Sequence, residues 1–164
     1  MNTIDASGIL AISTRLQRLS EQLRKDGLQI YKLYDIDFEP KWFPVVYALY
    51  HKKQLGIVEL AAEIGYSHPS TISLLKELEK QKLIRSKKDK NDERKRLVAL
   101  TANGEALVGQ MKPVWQHLKN LLTEVTETEN NLLKAINEVE ENLRRQTFLQ
   151  RALRDLDVPN QQKG

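Results

Sequence analysis

The 164-residue sequence predicts a mainly α-helical fold with one small β-hairpin. Three patterns predict it. Near both ends of the chain, apolar residues recur at spacings of 3 and 4, the period of a helix that buries one face. In the middle, Ser67-His68-Pro69-Ser70-Thr71-Ile72-Ser73 opens a short helix with a hydroxyl-rich first turn. Behind it, Leu83–Lys87 and Arg96–Leu100 form two short strands joined by the polar run 88–95, too long for a tight turn and suited to a wing. A short helix beside a basic wing is the layout of a winged helix-turn-helix, whose helix enters a DNA major groove while the wing reaches the minor groove.

Each element has its own signal. Ile9, Ile12, Leu16, Leu19 and Leu23 mark a first helix, which Asp26-Gly27 is expected to end or loosen. The stretch 34–40 is a connector, and Pro40 suits a first helical turn after it. Trp42 to Tyr50 forms a short apolar helix. Gly56-Ile57 is a brief extended piece. Val58 to Ile64 is a helix with Leu60, Ala61 and Ile64 inward and Gly65 as its stop. Ser67 or His68 caps the next helix, with Ile72, Leu75 and Leu78 or Glu79 on its inner side. Thr101 caps a long helix carrying Leu107, Met111, Val114, Leu118, Leu121 and Val125. Thr126-Glu127-Thr128-Glu129 has the form of a capping box. It is expected to open a last helix with Leu132, Ile136, Val139 and Leu143.

These elements divide the chain into an N-terminal dimerisation helix (1–34), a DNA-binding module (40–101), C-terminal dimerisation helices (102–156) and a disordered tail (157–164), within one compact domain. The flanking stripes exceed what a module of about 70 residues needs for cover. Two copies could bury them against each other and place two recognition helices about one DNA turn, roughly 34 Å, apart. The alternative is a monomer with an ordinary core.

Composition narrows the function. The net charge is +4, but residues 76–96 hold ten Lys or Arg against five Asp or Glu, a local +5, while the remainder carries −1. A localised basic patch is the footprint expected for a phosphate backbone. Cysteine is absent, which excludes disulfides, Cys-based zinc sites and thiol redox sensing. The three histidines are scattered, so no metal site or other cofactor is expected. No nucleophile elbow, phosphate-binding glycine loop or HExxH occurs, so the chain is not expected to be an enzyme. The first residues lack a basic segment followed by an apolar run and no stretch approaches roughly 20 apolar residues, so no signal peptide, no membrane contact and a cytoplasmic location are expected.

With these residues in order, the sequence resembles the MarR family of transcriptional regulators from about Ile9 to Leu143. Glu59-Leu60-Ala61, Ile64-Gly65-Tyr66-Ser67 and Pro69-Ser70-Thr71-Ile72-Ser73 are similar to its helix-turn-helix. Leu78 to Arg85 is similar to the exit into its wing. Asp92-Glu93-Arg94 and Leu100-Thr101-Ala102-Asn103-Gly104 are similar to the wing and the next helix start. The resemblance implies a homodimer on a pseudo-palindromic operator, usually a repressor. It also implies release by a small, often aromatic, ligand bound between the dimer frame and the DNA-binding module. Ser73 stands where some members carry Arg, and Val58 where a capping Ser or Thr is common.

The candidate recognition-helix residues are His68, Pro69, Ser70, Thr71, Ser73 and Lys76. Ser70, Thr71 and Ser73 are expected to point outward, where hydroxyls can meet base edges or phosphates. His68 either touches DNA or only begins the helix. In the wing, Arg94 is the sharpest candidate, because a narrow minor groove attracts an inserted Arg. Asp92 is expected to hold it or a neighbouring Arg, while Lys87, Lys88, Lys90, Lys95 and Arg96 are expected on phosphates. Trp42, Phe43, Tyr47 and Trp115 either line an aromatic ligand pocket or are plain core. A winged-helix module that binds protein and has lost operator specificity is the competing function.

Overall fold

The computed structural model describes residues 1–92 and 94–157. The chain divides into two compact units, Met1–Gln116 and His117–Gly164.

The first unit opens with α1 (Thr3–Ala6) and a 3-10 turn (Gly8–Ala11), then α2 (Ile12–Leu33). α2 runs straight through Asp26-Gly27, where the sequence predicts a stop. Tertiary anchoring overrides the glycine. The Tyr31 ring is buried, packs edge-on against Phe38 at 5.0 Å between centroids, and accepts a hydrogen bond from Trp115 Nε1 at 2.9 Å. Those contacts hold the last two turns against the cost of one Gly, about 1 kcal/mol. The connector tucks Ile36 and Phe38 into the core before a 3-10 turn at Pro40–Trp42 leads into α3 (Phe43–Lys52).

A short strand β1 (Gln54–Gly56) precedes α4 (Ile57–Ile64), so Ile57 is helical rather than extended. Gly56, not the region of Val58, is the N-cap, and its N–H donates to the Glu59 carboxylate at 2.9 Å. Gly65 closes α4 in the left-handed conformation, φ 69°, as predicted. α5 (His68–Lys80) starts at Ser67, whose hydroxyl accepts from Ser70 N.

β2 (Ile84–Lys88) and β3 (Arg96–Leu100) form the wing. β1 adds to them in an antiparallel sheet of order β1-β3-β2, with Leu55 opposite Val98 and Ser86 opposite Val98 on the other side. The core joins Val45, Val46 and Leu49 of α3, Leu60 of α4, Leu74, Leu75 and Leu78 of α5, Ile84, Val98 and Leu100 of the sheet, and Val108, Met111 and Val114 of α6 (Ala102–Thr126). Thr101 caps α6 as predicted, accepting from Gly104 N at 3.1 Å.

The second unit holds the end of α6, then α7 (Leu132–Arg145) and α8 (Phe148–Asp157). The expected capping box is not used. The Thr126 hydroxyl donates back to Leu122 O inside α6, and Asn131 caps α7 by accepting from Lys134 N. α8 goes beyond the predicted elements. Arg151 joins it to α7 by donating to Asn142 O and Gln146 O, carbonyls at the α7 C-terminus. Asp157 is the last residue of α8, and the rest of the predicted tail lies outside the described residues. Among the described residues, no helix is long and apolar enough to cross a membrane.

Candidate nucleic-acid interface

The phase of α5 decides which of its residues can meet DNA. With Ser67 as cap, Thr71, Leu74, Leu75 and Leu78 fall on the buried stripe. Thr71 therefore does not point outward: it is 0% exposed, and its hydroxyl donates to Ser67 O at 3.0 Å. It is a packing and capping residue, one position out of phase with the stripe inferred from Ile72. His68, Pro69, Ser70, Ser73 and Lys76 are exposed. Lys80 continues the same outward face, a position that the spacing 73, 76, 80 could have flagged.

The helix is braced from behind. The Glu77 carboxylate accepts from Trp42 Nε1 at 2.9 Å and pairs with Lys41 Nζ at 2.7 Å. The Lys41 hydrogen bond, then that of Trp42, hold its pKa below the ordinary carboxylate value.

The wing loop is tied internally. Asp89 N donates to Lys95 O, Lys95 N to Asp92 O, and Asn91 N to the Asp89 carboxylate. Asp92 does hold Arg94: one carboxylate oxygen accepts from Arg94 Nε and Arg94 N, both at 3.1 Å. Hydrogen bonding by the Arg94 side chain depresses the Asp92 pKa. The Arg94 side chain is still 91% exposed, so the pairing aims it without hiding it. Lys87, Lys88, Lys90, Lys95 and Arg96 are all exposed.

Register separates these cations. Ile84, Val98 and Leu100 are buried, so alternation puts Ser86, Lys88 and Arg96 on the helix-facing side of the sheet and Arg85 and Lys87 on the other. Lys88 and Arg96 are direct cross-strand partners, a like-charge pairing that is unfavourable without an anion to share. The guanidinium of Arg96 turns to Ser86, donating to its hydroxyl at 2.8 Å, and Ser86 donates to Glu79 Oε1 of α5 at 2.7 Å. Arg85 is a further exposed cation, outside the candidates that the sequence singles out.

The four aromatic candidates do not share one place. Phe43, Tyr47 and Trp115 cluster, with centroids 5.0–5.6 Å apart. Tyr47 also borders a groove of about 400 Å³ with Pro44, Ala48, His51, Lys52, Glu63 and Ile64. Trp42 is instead buried edge-on to Phe38 at 5.7 Å, where its indole N–H serves Glu77. Among the described residues, no cluster of three potential metal ligands occurs.

Residues 36–95, from the connector to the wing, match the model of the MarR family. The MarR fold extends over most of the chain. The S. aureus MepR–DNA complex is 21% identical, covering 82% of this chain and 97% of its own, with a TM-score of 0.64. A mutant of E. coli MarR complexed with operator DNA is 21% identical over 79% and 94%, with a TM-score of 0.59. Bordetella bronchiseptica BpsR, whose DNA binding is regulated by 6-hydroxynicotinic acid, is 19% identical over 77% and 97%, with a TM-score of 0.57. No curated protein matches the chain significantly. The MarR family and its winged-helix fold are those of transcriptional regulators.

Proposed function

We propose that the chain is a homodimeric, sequence-specific DNA-binding regulator, a repressor of a pseudo-palindromic operator that a small aromatic ligand releases. One observation carries the reading. The outward face of α5, with Ser70, Ser73, Lys76 and Lys80, and a wing presenting Arg94 and Arg96 are built into one braced module. Hydroxyls and Lys suit base edges and phosphates in the major groove, and a poised Arg suits a narrow minor groove.

The dimer is supported by apolar side chains left exposed on α1 and α2 (Ile4, Ile12, Leu16, Leu19) and, in the second unit, on α7 and α8 (Leu133, Val139, Phe148, Leu156). The ligand is supported by the Phe43–Tyr47–Trp115 cluster, whose Phe43 and Tyr47 rings are 38% and 42% exposed. A fully closed core would not leave them so. BpsR and 6-hydroxynicotinic acid are a precedent for an aromatic effector on this fold.

Selection of duplexes from a randomised pool tests the reading. Enrichment of an inverted repeat with half-site centres about 10 base pairs apart is expected. A pool that stays random would overturn it in favour of a protein-interaction module.

A further inference from the structure

We propose that Ser86 is a positioning residue that locks the wing to the recognition helix, so that the two are presented to DNA as one rigid unit. The inference rests on the DNA-binding reading above and adds a specificity determinant to it.

The geometry is a three-residue relay. Arg96 starts β3, Ser86 lies in β2 and Glu79 lies in the last turn of α5. Arg96 Nη2 donates to Ser86 Oγ at 2.8 Å, and Ser86 Oγ donates to Glu79 Oε1 at 2.7 Å. Ser86 is the bridging member, because its hydroxyl accepts from the donor-only Arg96 and donates to the acceptor-only carboxylate of Glu79.

Register explains why Arg96 takes this partner. Its direct cross-strand neighbour is Lys88, a like charge, whereas Ser86 is the diagonal neighbour two residues back on the same face. Swinging to Ser86 moves the guanidinium away from Lys88 and toward the α5 carboxylate. Ser86 is uncharged, so it adds no phosphate attraction beyond that of the exposed Arg96. What it fixes is the angle between α5 and the wing, and with it the spacing of major-groove and minor-groove contacts. Duplexes whose groove geometry matches that spacing gain, and others do not.

The test uses the full-length protein and a duplex that the wild type selects from a randomised pool, against a scrambled duplex, by fluorescence anisotropy across a salt series. Ser86→Ala removes both bonds while keeping every charge. Its affinity for the selected duplex is expected to fall about fivefold to tenfold. Affinity for scrambled DNA is expected to stay within twofold, and the slope against salt to stay unchanged. Ser86→Thr, which keeps the hydroxyl in a strand-favouring residue, is expected to restore wild-type preference. Arg96→Ala should differ, weakening both duplexes and reducing the salt slope by about one. Wild-type preference in Ser86→Ala would overturn the inference, as would an equal loss on both duplexes. A wild-type protein that selects no sequence would instead overturn the DNA-binding reading itself, so the two failures are distinguishable.

Discussion

The joint between the recognition helix and α6 makes a prediction of opposite sign at two glycines five residues apart. A Cβ on Gly104 would lie 3.2 Å from both Leu83 C and Leu100 Cδ2, and closer still to the Leu83 carbonyl oxygen. That carbonyl cannot swing away freely, because it accepts from Thr101 N at 3.0 Å while Leu83 N donates to Leu78 O at 3.0 Å. The Thr101 hydroxyl also donates to Lys82 O at 2.6 Å. Gly104→Ala must therefore displace the first turn of α6 or break one of these bonds. Overpacking of this kind costs about 1–3 kcal/mol, and the better helix propensity of Ala returns up to about 1 kcal/mol. The net expectation is a loss of about 1–2 kcal/mol, or a Tm lower by about 2–8 °C in a chain of this size. Gly109 has nothing within 4 Å of its would-be Cβ, so Gly109→Ala should gain about 0.5–1 kcal/mol and raise Tm by about 1–4 °C. Thermal melts followed by circular dichroism at one protein concentration give both values. A Gly104→Ala protein as stable as wild type would refute the claim that this joint is closed to a methyl group.

Three further outcomes are expected. Arg94→Ala should weaken binding to the selected duplex at least tenfold with an unchanged melting curve, and an unchanged isotherm would remove Arg94 from the interface. Leu118→Glu should give monomers in sedimentation and lose tight DNA binding; an intact dimer would show that Leu118 lies outside the subunit interface. Glu77 has a folded pKa below its unfolded value, held there by Lys41 and then Trp42. Its contribution is thus present above about 4.5 and lost as pH falls through the depressed folded value. In Glu77→Gln the decline of urea stability below pH 4.5 should be shallower than in wild type, and parallel acid limbs would count against the brace.

Helices α2 to α7, the wing strands and the Gly65 and Thr101 caps are legible in the sequence because each is signalled within a few neighbouring residues. What depends on distant contacts is not. Asp26-Gly27 looks like a helix end, yet Tyr31 is tied to Trp115, 84 positions away, and carries α2 through it. Gly56 is read as extended, but the pairing that makes Gln54–Gly56 a strand depends on β3. Thr71 is expected on the wrong face because Ile72 suggests a stripe one residue out of phase, and only the Ser67 cap fixes the phase. Thr126-Glu127-Thr128-Glu129 has the right letters for a capping box, but Thr126 is already committed to the preceding helix. At the candidate site, the cations are visible as a charge run and Arg94 as a wing-tip residue. Their partners are not, except for Asp92 two positions before Arg94. The bonds from Ser86 to Glu79 and Arg96 depend on strand register and on how the sheet meets α5, neither of which is written in local sequence.

The account stands most directly on a salt series of fluorescence anisotropy with the purified protein, the selected duplex and a scrambled one. It predicts a preference of about a hundredfold or more for the selected duplex, with affinity for both falling steeply as salt rises, because phosphate contacts release counterions. Equal, weak binding to both duplexes would contradict it and leave the winged helix as a module for binding protein.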